Sequence, residues 1–465
     1  MKHLIWIFLG LFLFDQTSTL ARGGGYEIKL QVNGATAGTA ILANYYGHTN
    51  QVQDSAEVEQ GNFSFVGEQS LPQGMYIVVL PGRTQYFDLI IDEDQQFELI
   101  SDTTDLVRLM EVEGSKENSV FYNHVRFMGE QQVWASQIQE QLQSGKGDSI
   151  QTEKLLETLN NINQAVEEER TSIQMRYPDL LVSKIFRGMD PPKIPEAPED
   201  AAEHFAYYYY KAHFFDQVDF SDDRLLRSPV LDTKVQTYLD EVIVRQTDTI
   251  IDAVDMILAK ARANDEVFQY FCSRLLNKYG KLANEIMDMD RVYVHIVETY
   301  YAAGEAWWIE EAALKNIIEQ AQKLSPALIN HPGADLIAPD STGTPRNLYS
   351  VEGKLIILYL WSYQCGFCKT ATPKLVEIYR QYKDQGLGLY TINTEGTEEG
   401  WKKKLREYGM GGVHVYDPDG RSGYHQKYNS RMTPGIFILD ENKIIRYKRI
   451  SVDQLGEILE REFDQ

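Results

Sequence analysis

Cysteine is scarce in this sequence: Cys272, Cys365 and Cys368 are the three in a chain of 465 residues. A disulfide-stapled scaffold is thereby excluded, and stability has to come from buried cores. An excess of basic residues is missing as well. Lys and Arg number 45 against 68 Asp and Glu, a formal net charge of −23. That balance opposes binding to nucleic acid or anionic lipid, because either requires clustered Lys and Arg to neutralise phosphates. Long apolar runs are absent too, since no stretch reaches the roughly 20 residues that a bilayer-spanning helix needs.

What is present suits a folded protein. With 43% hydrophobic and 24% charged residues, about two to four domains are expected rather than disorder. Met1-Lys2-His3 precedes an apolar run over residues 4–14, a polar stretch, and Thr19-Leu20-Ala21, whose small residues suit a cleavage site. Residues 1–21 are therefore expected to be a secretory signal peptide, with an uncleaved anchor as the alternative. No cysteine precedes Cys272, so no lipid-acceptor cysteine follows that signal. A soluble periplasmic or secreted protein is expected. From residue 331 onward eighteen basic residues balance eighteen acidic ones, so the whole charge excess lies upstream. Solubility is the simplest role for it.

Residues 26–100 have the period of strands. Tyr26, Ile28, Leu30 and Val32 alternate with polar neighbours, and Asn33-Gly34 follows as a turn. Further strands are expected over 40–45, 62–66, 75–80, 86–91 and 97–100, at a spacing that predicts a small antiparallel β-sandwich spanning 22–114. Helical periods take over across 115–329, as in residues 152–176. The proline-rich stretch from Asp190 to Pro198 interrupts them, because proline forbids a continuous helix there. The aromatic runs 205–210, 213–215 and 300–308 exceed the needs of one helix stripe. Core packing is the favoured role for them, a groove for client segments the other.

The last segment carries the chemistry. Residues 355–361 are a nearly unbroken apolar run, expected as a central parallel strand covered on both faces. Cys365-Gly366-Phe367-Cys368 follows at once, and residues 369–382 have Ala371, Leu375, Ile378 and Tyr382 on one helical side. Strands over 387–393, 412–416, 436–440 and 444–449 and helices over 397–408 and from Val452 to Phe463 complete a β-α-β-α-β-β-α order. Zinc would need four ligands; Cys272 lies in an apolar helical stretch, and His414 and His425 do not form a second ligand pair. A dithiol at a helix start suits redox chemistry instead. Unpaired N–H groups and the positive end of the helix dipole favour a thiolate at Cys365, the nucleophile. Cys368, one turn deeper on the same face, is the resolving thiol.

Trp361-Ser-Tyr-Gln-Cys365-Gly-Phe-Cys368-Lys369 resembles the active-site segment of thioredoxin-like proteins. Trp361 coincides with that family's active-site tryptophan, Pro373 with the proline that kinks the helix, and Met432-Thr433-Pro434 with its cis-proline loop. The lead-in from Gly333 to Lys354 and Tyr416-Asp-Pro-Asp-Gly420 resemble the exported branch that includes cytochrome-maturation thiol reductases. The resemblance implies a thioredoxin-like α/β domain over 330–465 in a multi-domain α+β protein with a central all-α region. It implies protein thiol-disulfide oxidoreductase activity with Cys365 and Cys368 catalytic, and Trp361, Gly366, Phe367, Thr433 and Pro434 contacting the client, Thr433 through its backbone. Pro373 is structural. Two departures stand out: Tyr359 and Ala371 occupy positions where relatives carry an acid. The Gly-Phe pair also lacks the histidine of strongly oxidising relatives, which favours a reductase or isomerase. Peroxidase chemistry is disfavoured, because the Pro-x-x-x-Thr-x-x-Cys pattern is missing around Cys365. The upstream segments look like accessory regions that precede thioredoxin modules in secreted bacterial proteins. No cofactor, metal or nucleic acid is expected. Disulfide-containing clients and an electron-donating thiol-disulfide partner are, together with client selection or homo-oligomer formation through the upstream domains. The competing expectation is a partner- or glycan-binding periplasmic protein whose thioredoxin module is regulatory or vestigial.

Overall fold

The computed structural model describes residues 24–143, 149–430 and 432–463. The expected signal peptide lies outside them. Among the described residues no helix is long and apolar enough to cross a membrane. The chain divides into two compact units. One comprises the described residues up to Val244 with Ala259–Phe268, and the other Arg245–Leu258 with the described residues from Gln269 onward.

The first unit opens with eight strands: β1 (Tyr26–Asn33), β2 (Gly38–Tyr46), β3 (Thr49–Val58), β4 (Asn62–Gly67), β5 (Gly74–Val79), β6 (Tyr86–Ile91), β7 (Gln96–Asp102) and β8 (Glu111–Glu113). They form two four-stranded sheets, ordered β4-β1-β7-β8 and β3-β2-β5-β6. Alternation decides which side chains go inward. Ile28, Leu30, Phe65 and Leu99 of one sheet meet Leu42, Tyr76, Val78 and Leu89 of the other in a single buried cluster, as the two inner faces of a sandwich do. One pairing departs from the antiparallel expectation, for β1 and β7 run parallel, with Ile28 opposite Phe97. Period-two alternation is the same for either strand direction, so the sequence pattern carries no information on this point.

Helices follow: α1 (Lys116–Gln143), α2 (Ser149–Arg176), α3 (Leu181–Met189), α4 (Phe205–His213) and α5 (Val230–Thr237). Asn118 of α1 is buried and ties this helix to the edge strand β6, accepting from Ile90 N at 2.8 Å and donating to Ile90 O at 2.7 Å. Asn118→Ala strands both backbone groups and is expected to lower unfolding free energy by about 2–3 kcal/mol, measurable by urea denaturation. Core packing holds for Phe214 and Phe215, which are buried, but not for the preceding aromatic run. None of the residues of α4 is buried. Its rings pack on one another, as Tyr209 does on His213 at a centroid distance of 4.1 Å.

Helices α6 (Thr247–Ala261) and α7 (Asp265–Glu285) contribute to both units, and α8 (Met289–Ile296) and α9 (Glu311–Leu324) belong to the second. Cys272 is fully buried in α7, a core side chain. A short hairpin, β9 (Ile337–Pro339) with β10 (Pro345–Asn347), then leads into β11 (Leu355–Trp361), α10 (Gly366–Tyr382), β12 (Leu387–Asn393), α11 (Glu398–Tyr408), β13 (Val413–Tyr416), α12 (Tyr424–Lys427), β14 (Gly435–Asp440), β15 (Ile445–Lys448) and α13 (Val452–Phe463). The sheet order is β13-β12-β11-β14-β15. β12 and β13 continue β11 in parallel, whereas β14 pairs with it antiparallel.

Every residue of the central strand β11 is buried. Ile357, Tyr359 and Trp361 point to one face, where Leu375 of α10, Trp401 of α11 and Leu455 of α13 cover them. Ile356, Leu358 and Leu360 point to the other, against Leu336, Leu348 and Tyr428. A strand sandwiched in this way has no polar face to spare, which explains its unbroken apolar sequence. It also gives the residues at its C-terminal end a rigid base.

Candidate active site

The chain leaves β11 at Trp361 and turns into α10 within a few residues. Ser362 shapes the turn: its Oγ accepts from Gln364 N at 3.1 Å, and its carbonyl accepts from Cys365 N at 3.2 Å. Cys365 is the N-cap of α10, with extended backbone (φ −64°, ψ 125°), and its sulfur accepts from Cys368 N at 3.3 Å. An N-cap side chain normally uses an oxygen to satisfy one of the orphan N–H groups of the first turn. Here a sulfur does so. The same Sγ donates to the carbonyl of Thr433 at 3.3 Å, and the peptide bond from Thr433 to Pro434 is cis. The fold thus brings the dithiol and the 432–434 loop together although 68 residues separate Cys365 from Thr433.

The two thiols differ in environment. Cys365 is half-buried, whereas Cys368 is 1% exposed. Burial works to raise the pKa of Cys365, but hydrogen bonds with the Cys368 thiol, with Thr433 and with the backbone of Cys368 and Phe367 outweigh it and hold the thiol below its ordinary value. Cys368 is pushed up to about 12, by burial first; the Ser362 backbone and Thr433 counter this, while Cys365 adds to it through a hydrogen bond and charge. One thiol is poised to ionise and reachable. The other is held protonated beneath it.

The remaining expected site residues fall into two groups. Gly366 and Phe367 are exposed, Phe367 at 79%, while Thr433 and Pro434 are half-buried beside Cys365. Met432, named in the sequence only as part of the loop, is 82% exposed. Pro373 lies within the continuous helix α10. Trp361 is a correction. Expected to contact a client, it is fully buried on the core face of β11, stacked on Tyr359 at 10° with centroids 6.2 Å apart. Strand alternation puts it on the same face as Tyr359, under α10, so it supports the dithiol from below.

Several contributing residues carry no motif. Tyr363 accepts from Thr397 N at 2.8 Å through its hydroxyl, and its ring lies where a Cβ on Gly396 or Gly400 would come within 2.6 Å. A side chain at either place would have to displace the Tyr363 ring, which packs the 394–400 segment next to the turn that carries Cys365. Thr372 is fully buried, with Oγ1 3.0 Å from the Tyr359 hydroxyl. Its position four residues after Cys368 places both on one helical face, a signal that the sequence did contain.

Residues 329–448 match the AhpC/TSA family, and residues 26–121 and 147–324 match two domains of unknown function, DUF4369 and DUF5106. Thiol-disulfide oxidoreductase ResA of Oceanobacillus iheyensis is 29% identical over 73 residues, 16% of this chain and 38% of that protein. Protein DipZ of Mycobacterium tuberculosis is 26% identical over 108 residues, 22% of this chain and 15% of that protein. Among solved structures, a domain of possible thiol-disulfide isomerase from Cytophaga hutchinsonii is 33% identical with a TM-score of 0.28, covering 30% of this chain and 96% of that one. The chain spans less than half the length of either curated relative. With strand, dithiol, helix and cis-proline loop in place, the C-terminal domain is a thioredoxin-like domain of the AhpC/TSA family.

Proposed function

We propose that this chain is an exported thiol-disulfide oxidoreductase that reduces or reshuffles disulfides of client proteins. The observation that carries the reading is the asymmetry of the dithiol, an accessible low-pKa Cys365 at a helix N-cap above a buried, protonated Cys368. In the first step the Cys365 thiolate attacks a client disulfide. A Cys365–client S–S bond forms, the client S–S bond breaks, and the departing client sulfur takes up a proton. In the second step Cys368 attacks Cys365, its proton passes to the second client sulfur, and the client leaves reduced by two electrons while the protein holds a Cys365–Cys368 disulfide. An electron-donating thiol-disulfide partner then restores the dithiol. Exposed Phe367 and Met432 offer apolar flanks for a client segment that lies along Thr433 and Pro434. The N-terminal segment of the sequence is the basis for placing the protein outside the cytoplasm, and the upstream domains serve client selection or self-association.

Insulin reduction with dithiothreitol as donor tests this. The wild-type chain is expected to accelerate precipitation of the insulin B chain, and Cys365→Ala to abolish the acceleration. Cys368→Ala is expected to stall as a mixed disulfide visible on non-reducing gels. Acceleration that survives Cys365→Ala would sink the reading. Direction follows from the reduction potential, with values near roughly −270 mV expected for a reductant and about −120 mV for an oxidant.

A further inference from the structure

The second step makes a demand that the two cysteines alone do not meet. Cys368 has to lose its proton to attack, yet its surroundings keep the thiol protonated. At pH 7 the buried thiol is therefore held almost wholly in its protonated form. A buried anion in this place costs free energy unless hydrogen bonds satisfy it.

Tyr359 shares a buried cluster with Cys368, and its hydroxyl meets a second buried one, that of Thr372. Tyr359 belongs to the same core face and is fully buried, its ring fixed by stacking on Trp361. Its oxygen lies 3.0 Å from Thr372 Oγ1, which is also fully buried. Ala371, beside Thr372 in the chain, offers no polar atom in its side chain. Burial raises the tyrosine's pKa, the bond to Thr372 lowers it, and the charge and hydrogen bonding of Cys368 raise it again. Tyr359 and Cys368 lie in one buried cluster, and burial keeps the phenol protonated throughout.

We propose that Tyr359 donates a hydrogen bond to the Cys368 sulfur as its thiolate develops, and that Thr372 is the positioning residue that holds the phenol for this. This assignment rests on the dithiol reading above. Thr372 donates to the phenol oxygen while the phenol donates to sulfur, a chain in which each bond polarises the next. Nothing is consumed: the Cys368 proton goes to the departing client sulfur, and Tyr359 keeps its own. A neutral donor supplies stabilisation that grows with charge on sulfur, without a buried carboxylate whose own ionisation would gate the step.

The test uses 5,5′-dithiobis(2-nitrobenzoate) in a stopped-flow instrument. Attack by Cys365 releases the first thionitrobenzoate, and resolution by Cys368 releases the second, so the two phases report the two thiols separately. Tyr359→Phe removes the hydroxyl and keeps the ring. It is expected to slow the second phase about tenfold or more, the worth of one hydrogen bond to a charged group, and to change the first phase much less. Thr372→Val is expected to slow the second phase in the same sense, and Thr372→Ser, which restores a hydroxyl, to recover it. An unchanged second phase in Tyr359→Phe, equal slowing of both phases, or no recovery in Thr372→Ser would overturn the assignment while leaving the dithiol reading intact. A wild-type protein without any first phase would overturn the dithiol reading and this one with it.

Discussion

Iodoacetamide offered to the reduced protein at pH 7 is expected to alkylate Cys365 at least about 30 times faster than Cys368. The factor follows from opposing terms. Cys365 lies below the ordinary value of 9.0 and Cys368 near 12, a gap that favours Cys365 in thiolate fraction by at least about 1,000-fold. A more basic thiolate is the stronger nucleophile, and with a Brønsted slope of about 0.4–0.5 that returns roughly 15–30-fold to Cys368. The remainder still favours Cys365, and the burial of Cys368 widens it. The pH dependence has a definite sign. Labelling of Cys365 should reach half its plateau below pH 9, while labelling of Cys368 keeps climbing toward pH 12. Because the native state holds the Cys368 proton where the unfolded chain has released it, the reduced fold should lose stability as pH rises from the ordinary thiol value toward 12. Fragment-ion mass spectrometry locates the label. Equal labelling of the two cysteines would remove the asymmetry on which the functional reading depends.

Much of this site was legible because its signals are local. An apolar run long enough for a strand but not a helix, a dithiol immediately after it, and 3.6-residue spacing from Ala371 to Tyr382 specify strand, turn and helix without any knowledge of the rest. What escaped was non-local or weak. Strand β3 is an edge strand that begins with exposed Thr49, Asn50, Gln51 and Val52, so no alternation of apolar residues marks it; its ladder with β2 forms it instead. The motif put Trp361 at the dithiol, but nearness in sequence does not reveal which side of a strand faces the surface. Alternation from Ile357 through Tyr359 to Trp361 placed all three on one face, and only the packing of α10 over that face shows that it is the interior. The absence of an acid at Tyr359 and Ala371 was plain in the sequence. That a tyrosine and a threonine meet in the space required the strand and the helix to be brought together.

The charge pair between Lys448 and Asp290 had no sequence signal at all, since 158 residues separate its members. Lys448 ends β15 and Asp290 lies in α8, both within the second unit, and both side chains are 2% exposed. Lys448 Nζ donates to Asp290 Oδ2 at 2.6 Å and to Ala327 O at 2.7 Å. Arg449 stands farther off, 3.6 Å from the same carboxylate oxygen. Burial depresses the lysine's pKa, and Asp290 works against that. Desolvating two charges offsets most of their attraction, so the intact pair adds little net stability; removing one partner strands the other charge in the interior. Lys448→Ala is therefore expected to lower the stability of this unit by about 3–5 kcal/mol, a large part of the roughly 5–15 kcal/mol that holds a domain together. Lys448→Met combined with Asp290→Leu should recover most of the loss, because the double variant leaves no buried charge unpaired. The comparison separates a stranded charge from mere loss of packing, which would make the double variant worse than the single one. Urea unfolding read by hydrogen exchange in β11 supplies the measurement, and a single-variant loss under about 1 kcal/mol would mean that water reaches the pair. Because the same unit holds the dithiol, β15 pairs with β14, and β14 with β11, the variant is also expected to weaken the base on which Cys365 and Cys368 stand.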